Sequence, residues 1–435
     1  MRLNYVHIRN FRAISDLQLP LHPSLTVLHG ENAQGKTSAL GAIALGLSRI
    51  LKLMDVRKVE AYQPEDIRND AECAEVELET TDGVRWRELG WRTKTRKSSL
   101  NHATRAFIGL DDHRDLRSYL RSKDPDTGYG ERVVVASYDT ERAVFWAPQR
   151  KRDFRTEFTY MDAYEDALEI KPSFKKFFEW FDRKESDELR LQRDANNKDV
   201  RVPELNAVRA AIQEMLSGVT DLHMDVNPLR FTVRLERPGG GFERLSLDQL
   251  SGGYRIMLAM VGDLALRMAM ANPQLHNPLL TEAIVLIDEV ELHLHPSWQQ
   301  RVLTDLARTF PNTQFIVSTH SPQVLTTVRP EQIIRLRSDN GNVVAKRETS
   351  PTYGNEAGNV LSAVMNVSER PVSSIEFAQR LQEYRALIAS DLGESLQAQE
   401  LRRSLDAVSP DDPGLVGADA ELRRRKILRD LAARA

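Results

Sequence analysis

Five short segments carry residues fit for chemistry, and they come in a fixed order: GENAQGKT (30–37), LSGGYR (250–255), AIVLIDEVE (283–291), HLHP (293–296) and STHSP (318–322). The first fits G-x-x-x-x-G-K-[ST]. Its glycines let the backbone curl so that N–H groups face phosphate oxygens, and a helix starting there would aim its positive end at the same point. The expected phosphate contacts are Gly30, Asn32, Gly35, Lys36, Thr37 and Ser38, with Lys36 reaching the β- and γ-phosphates and the Thr37 hydroxyl binding Mg²⁺. ATP and Mg²⁺ are therefore the expected cofactors.

Residues 284–287 form a continuous apolar run, the mark of a strand buried on both faces of a parallel sheet. Such a strand delivers Asp288 and Glu289 at its C-terminal end, where the nucleotide sites of doubly wound sheets lie. Asp288 is suited to hold Mg²⁺ through water, and Glu289 to polarise an attacking water. A second buried strand, 315–317, ends in Ser318-Thr319-His320, which brings His320 toward the γ-phosphate. Ser251-Gly252-Gly253 precedes a long apolar helix and makes a second anion site at a helix N-terminus. One nucleotide needs one such site. The economical reading is that Ser251, Gly252 and Gly253 bind the γ-phosphate on another subunit, in a head-to-tail dimer that sandwiches two ATPs.

The flanking patterns supply elements to position these groups. A short apolar run at 25–28 enters the loop, and 38–54 carries apolar residues at helical spacing. Alternation at 75–79 and 84–87, with Asp82-Gly83 between, predicts a hairpin whose glutamates oppose arginines. Residues 161–218 read as helical and charged, with an apolar stripe of Phe174, Phe177, Phe178 and Phe181. Residues 222–235 return to strand-like alternation. Beyond Pro351 the chain reads as helical, with 410–417 a linker before a basic amphipathic helix at 421–435.

Bulk properties limit the alternatives. The chain has 435 residues, 41% hydrophobic and 28% charged, and its 60 Lys and Arg nearly balance 63 Asp and Glu. Net charge thus gives no support for nucleic-acid binding, and any DNA surface must be a local patch. Cys73 is the only cysteine, so an internal disulfide and a thiolate metal cluster are excluded, which suits a reducing cytosol. The N-terminus lacks the apolar core of a signal peptide, and apolar runs are too short to span a membrane. A cytoplasmic protein is expected.

Taken together, the five motifs resemble those of the ABC-type ATPases, in the branch that includes RecF, SMC and OLD-like proteins. The resemblance covers roughly 1–54 and 242–336. It implies an α/β fold: a P-loop ATPase head with an antiparallel β subdomain, a helical insertion and a helical C-terminal extension. It implies catalytic roles for Glu289, His320 and Lys36, metal binding by Thr37 and Asp288, and action in trans by Ser251 and Gly253. The opening IRNFRAISDLQL looks like the RecF-type start, which sets Asn10-Phe11-Arg12 near the nucleotide and makes Arg12 a candidate nucleotide contact. The expected divisions are 1–160 and 221–350 for the two parts of the head, 161–220 for a helical lid, and 351–435 for a partner-binding or oligomerising extension. Tyr254 departs from the glutamine usual in transporters, and Gln63 and Gln149 are both candidates for the Q-loop glutamine.

YDTERAV (138–144), 252–273 and TYGNEAGNVLSAVMNVSERP (352–371) resemble, more narrowly, the PtuA family of ATPase subunits in Septu and retron-linked anti-phage systems. That resemblance implies a separate HNH-type nuclease partner, controlled by a homodimer or a higher even-numbered homo-oligomer of this chain. After His320 the acidic pair Asp411-Asp412 falls in the expected linker and no apolar strand delivers carboxylates, so the chain is not expected to be a nuclease itself. The alternative function is a RecF-like DNA-binding ATPase acting in repair, with DNA contacted directly or through the partner. Arg85, Arg87, Arg92, Lys94, Arg96 and Lys97 interleaved with Trp86 and Trp91 form the candidate DNA face; the competing reading pairs the first arginines with Glu75, Glu77 and Glu79 and buries the tryptophans. His293 and His295 with Glu291 have a metal-like look, but the resemblance assigns His295 and Pro296 to shaping a subunit-contact loop.

Overall fold

The computed structural model describes residues 1–56, 59, 62–92, 113–126, 130–140, 154–155, 157–169, 174–227, 229–237, 239–339, 341–368, 370–371 and 374–432. Lys94, Arg96, Lys97, Gln149, the 141–144 part of YDTERAV, Glu369 and the side chain of Phe174 lie outside the described residues. The strands, in chain order, are β1 (Leu3–Phe11), β2 (Ile14–Pro20), β3 (Leu25–His29), β4 (Cys73–Thr80), β5 (Arg85–Trp91), β6 (Val134–Tyr138), β7 (Val219–Val226), β8 (Leu229–Glu236), β9 (Phe242–Ser246), β10 (Ala283–Ile287), β11 (Thr313–Thr319), β12 (Ile333–Asp339) and β13 (Asn342–Arg347). The chain divides into two compact units, Met1–Val360 and Leu361–Ala435.

The first unit is built on a sheet of order β13-β12-β3-β11-β10-β6, parallel except for its antiparallel edge strand β13. Every residue of β10 and β11 is buried, as their unbroken apolar runs require. Register then decides what meets at the C-terminal edge. Thr319 pairs with His29, and Ile287 pairs with both Val317 and Tyr138. The residues just past these positions therefore converge: the Gly-rich loop, Asp288, Ser318 to His320, and Asp139.

A second, antiparallel sheet has the order β2-β1-β4-β5. The β4–β5 hairpin sets Glu77 opposite Arg87 and Glu79 opposite Arg85, and Arg85 reaches Glu79 at 2.6 Å. Trp86 is buried and donates its indole N–H to the Gly46 carbonyl at 2.8 Å. Gly46 lies in the helix Lys36–Leu53, where a Cβ would stand 2.4 Å from Leu78 Cδ1. Glycine there lets the helix and sheet touch, and the hairpin arginines and Trp86 take the structural of their two readings. Arg92 donates to the carbonyls of Ile67 and Arg68 at 2.9 and 2.7 Å.

The stretch read as one strand-like run at 222–235 is two strands of a hairpin, β7 and β8, extended by β9. The helices Phe174–Asp194 and Pro203–Met215 precede it. Phe177, Phe178 and Phe181 surround Phe231 of β8 with ring centroids 5.6, 5.6 and 5.1 Å apart. The helix Gly252–Ala271 is buried on every side from Ile256 onward, as an all-round apolar helix must be. Inside it Asp263 accepts the Tyr138 hydroxyl at 2.9 Å and Arg267 Nε at 2.7 Å. Arg267 also donates to the carbonyls of Ala163 and Glu165 at 2.7 and 3.0 Å. One buried guanidinium thus ties this helix, β6 and the start of the insertion together.

The second unit packs the helices Glu376–Ala389, Leu396–Asp406 and Pro413–Ala432 around Leu381, Tyr384, Ile388, Leu405 and Leu415. The expected linker at 410–417 is corrected here: helix begins at Pro413. Proline is tolerated in a first helical turn because its missing N–H has no partner to lose. Asp412 caps the turn, accepting the amides of Gly414 and Leu415 at 2.9 and 3.0 Å, and binds both Nη atoms of Arg370.

Replacing Asp263 by Ala leaves Arg267 buried without its counter-charge. This should cost about 3–5 kcal/mol, whereas Tyr138→Phe, which deletes one buried hydrogen bond, should cost about 1 kcal/mol. Urea denaturation measures both, and equal losses would contradict this ranking.

Candidate active site

The Gly-rich loop leaves β3 at Gly30, whose φ of 153° and close packing admit no side chain: a Cβ would stand 2.4 Å from the Leu336 carbonyl oxygen. Gly35, at φ 84°, directly precedes the helix Lys36–Leu53. The loop therefore ends on a helix N-terminus, with its positive end presented at the sheet edge. Lys36 is folded back on the loop, donating to the carbonyls of Gly30 and Glu31 at 2.9 and 2.8 Å. Burial lowers its pKa from the ordinary lysine value, against the opposing pull of Asp288, Glu289 and Glu291. Asn32 lies exposed in the loop and Ser38, half-buried, in the first turn of the helix.

Thr37 and Asp288 come together although 251 positions separate them: Thr37 Oγ1 donates to Asp288 Oδ2 at 2.7 Å. Ser318 donates to the other oxygen, Asp288 Oδ1, and its Oγ accepts the Glu289 amide at 2.8 Å. One hydroxyl at the end of β11 thus orients both acidic residues at the end of β10. Glu289 adopts a left-handed backbone, φ 47°, at a cost of about 1 kcal/mol for a residue with a Cβ. Glu291 accepts the Thr319 hydroxyl at 2.7 Å and the His320 amide at 2.5 Å. Its place, two residues beyond Glu289, tethers His320 to the same corner. Burial first, and the Lys36 ammonium second, lower the His320 pKa from its ordinary value.

A cleft of about 210 Å³ opens on the flank of Thr37 and Asp288. Its wall includes Arg12, Gln63, Asp66 and Asp139. Arg12 Nε donates to Asp66 Oδ1 at 3.0 Å, and Asp66 also accepts the Gln63 amide at 2.9 Å. Gln63 is therefore at the site, and Gln149 lies outside the described residues. Asp66 and Asp139 carry no motif signal of their own, Ser318 none beyond its place in STHSP, and Glu291 holds Thr319 and His320 rather than joining His293 and His295. The STHSP segment contained the signal for Ser318, since a residue ending a strand beside Asp288 must face it or turn away by the period of two.

Ser251 and Gly252 are exposed at the start of the helix Gly252–Ala271, and the Ser251 hydroxyl accepts the Tyr254 amide at 3.5 Å. A Cβ on Gly252 would meet nothing within 4 Å, while one on Gly253 would stand 3.0 Å from the His293 carbonyl. Tyr254 packs edge-on against Trp298 and donates to the Ser217 carbonyl at 3.1 Å. His295 caps the turn Pro296–Gln299, and the described residues contain no group of three His, Cys, Asp or Glu side chains that could hold a metal ion.

The chain is similar to several known proteins. Residues 5–220 match the family described as AAA domain. A retron Ec83 probable ATPase from Escherichia coli is 27% identical over 98% of this chain and 87% of its own length. The chain is thus similar to ABC-type ATPases of the RecF/SMC-like kind. A retron Vc95 probable ATPase from Vibrio cholerae is 26% identical over 93% of this chain and 87% of its own length. The Septu protein PtuA of Bacillus mycoides is 41% identical over a shorter stretch, 18% of this chain and 10% of its own. No helix among the described residues is long and apolar enough to cross a membrane.

Because burial and Lys36 both disfavour imidazolium, His320 should be neutral at neutral pH. A histidine whose folded pKa is lowered destabilises the fold only as pH drops below the unfolded value of about 6.5. NMR titration of the nucleotide-free protein, with His320→Gln to identify the resonance, should give a midpoint below that value; a midpoint above it contradicts the geometry.

Proposed function

We propose that this ATPase is a subunit of a bacterial anti-phage defence system, that it hydrolyses ATP in a head-to-tail dimer, and that it regulates an HNH-type nuclease supplied by another polypeptide. The observation that carries the proposal is a likeness to retron ATPases along nearly the whole chain, over residues that also assemble a phosphate loop against paired carboxylates.

In this reading the amides of the 30–37 loop bind phosphate oxygens, and Lys36 exchanges the carbonyls of Gly30 and Glu31 for the β- and γ-phosphates. Thr37 and Asp288 would hold a Mg²⁺ ion, since a hydroxyl and a carboxylate face each other at 2.7 Å, and the ion would supply positive charge against the phosphates. Glu289, its amide fixed by Ser318, orients and polarises the attacking water. His320, neutral and held by Glu291, donates a hydrogen bond toward the γ-phosphate. Gln63 and Arg12 line the cleft beside Thr37 and Asp288, where they sense the bound substrate. Phosphoryl transfer needs positioning and charge stabilisation above all, and these residues supply both.

Ser251, Gly252 and Gly253 complete the site from a second copy. The exposure of Ser251 and Gly252 at a helix N-terminus suits an anion brought by another chain. ATP binding would then close the dimer, and turnover would change the shape offered to the nuclease. The chain is not itself the nuclease in this account: Asp412, one of two carboxylates that could have suggested a metal-dependent site, is a helix cap paired with Arg370. A RecF-like repair role is the second reading. It loses ground because Arg85 and Arg87 pair with glutamates and Arg92 is bound to backbone carbonyls.

Glu289→Gln should bind ATP yet lose about 100-fold or more in kcat and sediment as a tighter dimer; unchanged turnover would remove Glu289 from its role. Ser251→Arg should spare ATP binding while abolishing hydrolysis and its cooperativity. Purification of the chain expressed with its neighbouring genes should bring down an HNH-type nuclease, and a chain recovered alone under those conditions would count against the regulatory role.

A further inference from the structure

Arg255 breaks a local rule at the start of the buried helix Gly252–Ala271. A cation stabilises the C-terminal end of a helix, where it offsets the macrodipole, and is unfavourable in the first turn, which is already positive. Arg255 is the fourth residue of this 20-residue helix, and the first turn holds no acidic residue to balance it. The rest of the described residues do not balance it either: Arg255 makes no side-chain hydrogen bond or ion pair with any of them, and its Nε is buried without a partner. Arg267 of the same helix, by contrast, is held by Asp263 and two carbonyls. A guanidinium N–H out of water with no acceptor is a cost that the fold leaves uncompensated. Such departures gather where a ligand supplies the missing group.

Helix geometry says where that ligand would lie. Arg255 follows Ser251 by four positions, so the two share a face about 6 Å apart along the axis. A helical Cα–Cβ bond leans toward the N-terminus, so an arginine here extends toward the end that Ser251 and Gly252 expose. The amides of Gly252 and Gly253 have no partner inside the helix, whose first backbone bond runs from the Arg255 amide to the Ser251 carbonyl at 3.0 Å. The space beyond Gly252 is open, since a Cβ there would meet nothing within 4 Å. Tyr254 is turned aside, with its ring on Trp298 and its hydroxyl on the Ser217 carbonyl. Arg255 is thus the charged side chain of the exposed turn.

Unpaired amides and an unpaired guanidinium on one face suit an anion with several oxygens. We propose that Arg255 binds the γ-phosphate of the ATP held by a second copy of this chain, beside Ser251, and stabilises the charge on its oxygens during transfer. The inference rests on the head-to-tail dimer proposed above and adds a catalytic group to it. A cation brought to the transferring phosphoryl group by another subunit acts on the transition state. Hydrolysis, more than capture of ATP, then depends on closure of the dimer: the nucleotide's own chain supplies Lys36, and the neighbour supplies Arg255.

The test uses full-length chains. Arg255→Ala should lose about tenfold or more in kcat, while a single chain still binds ATP within about twofold of the unchanged protein. Arg255→Gln, which keeps most of the stem, should lose as much, and Arg255→Lys should recover part. Each protein is then mixed with an excess of Lys36→Ala chains, so that most intact loops face a Lys36→Ala neighbour. When that neighbour carries Arg255, the Arg255→Ala protein should regain the rate per loop that the unchanged protein shows in the same excess. When the neighbour carries both Lys36→Ala and Arg255→Ala, the unchanged protein should fall by about tenfold or more. The proposal is overturned if Arg255→Ala and Arg255→Gln turn over normally, or if the loss stays with the chain whose own Arg255 is changed. Ser251→Arg in the same mixtures separates the two claims. Its rescue beside an unrescued Arg255→Ala removes Arg255 alone from the site, and its own failure to be rescued removes the head-to-tail reading and Arg255 with it.

Discussion

The pairing of three parallel strands, β3, β11 and β10, is the constraint from which the site follows. Ser318 is held beside Asp288 because Val317 pairs with Ile287, and the Gly-rich loop opens beside both because Thr319 pairs with His29. A slip of one residue would turn Ser318 to the opposite face. Asp288 would then lose one of its hydroxyl donors and Glu289 the acceptor of its amide. Buried apolar runs on both faces protect the register. The geometry at the strand ends therefore depends on Val285, Leu286, Ile316 and Val317, all of them buried.

From that edge the structure extends in two directions. Toward solvent, the left-handed backbone at Glu289 and the hydrogen bonds of Glu291 turn the chain into HLHP, whose His293 carbonyl abuts Gly253. The segment after the acidic pair is thus in contact with the start of the buried helix that carries Ser251. Toward the interior, Tyr138 supplies its carbonyl to the Asp288 amide at 2.8 Å and its hydroxyl to Asp263. The acidic corner and the buried helix are joined on both sides, so a rearrangement at one has a route to the other through discrete hydrogen bonds.

Much of this was legible in the sequence because its signals are local. Gly30, Gly35, Lys36 and Thr37 are contiguous, and the runs at 284–287 and 315–317 could only be buried strands. The Glu-rich and Arg-rich segments around Asp82-Gly83 gave the hairpin and its cross-strand pairs. What escaped notice depends on contacts between distant segments. Asp66 and Gln63 sit in a short turn with no periodicity, and only the fold carries them to Arg12 and Thr37. The Asp263–Arg267 pair was hidden inside an apolar helix, where two charges read as interruptions rather than as a buried tie. Pro413-Gly414 looked like a break, because proline and glycine mark loops unless a cap such as Asp412 starts a helix on them.

The central claim is that each site is completed by a second chain, and a mixing experiment tests it most directly. Lys36→Ala and Ser251→Arg proteins should each be inactive alone. In a mixed dimer the intact loop of the Ser251→Arg chain faces the intact signature of the Lys36→Ala chain, so one of the two sites is whole. Steady-state ATP hydrolysis should therefore reappear when the two inactive proteins are combined. A mixture as inactive as its parents, with mixed dimers demonstrated to form, would contradict the account.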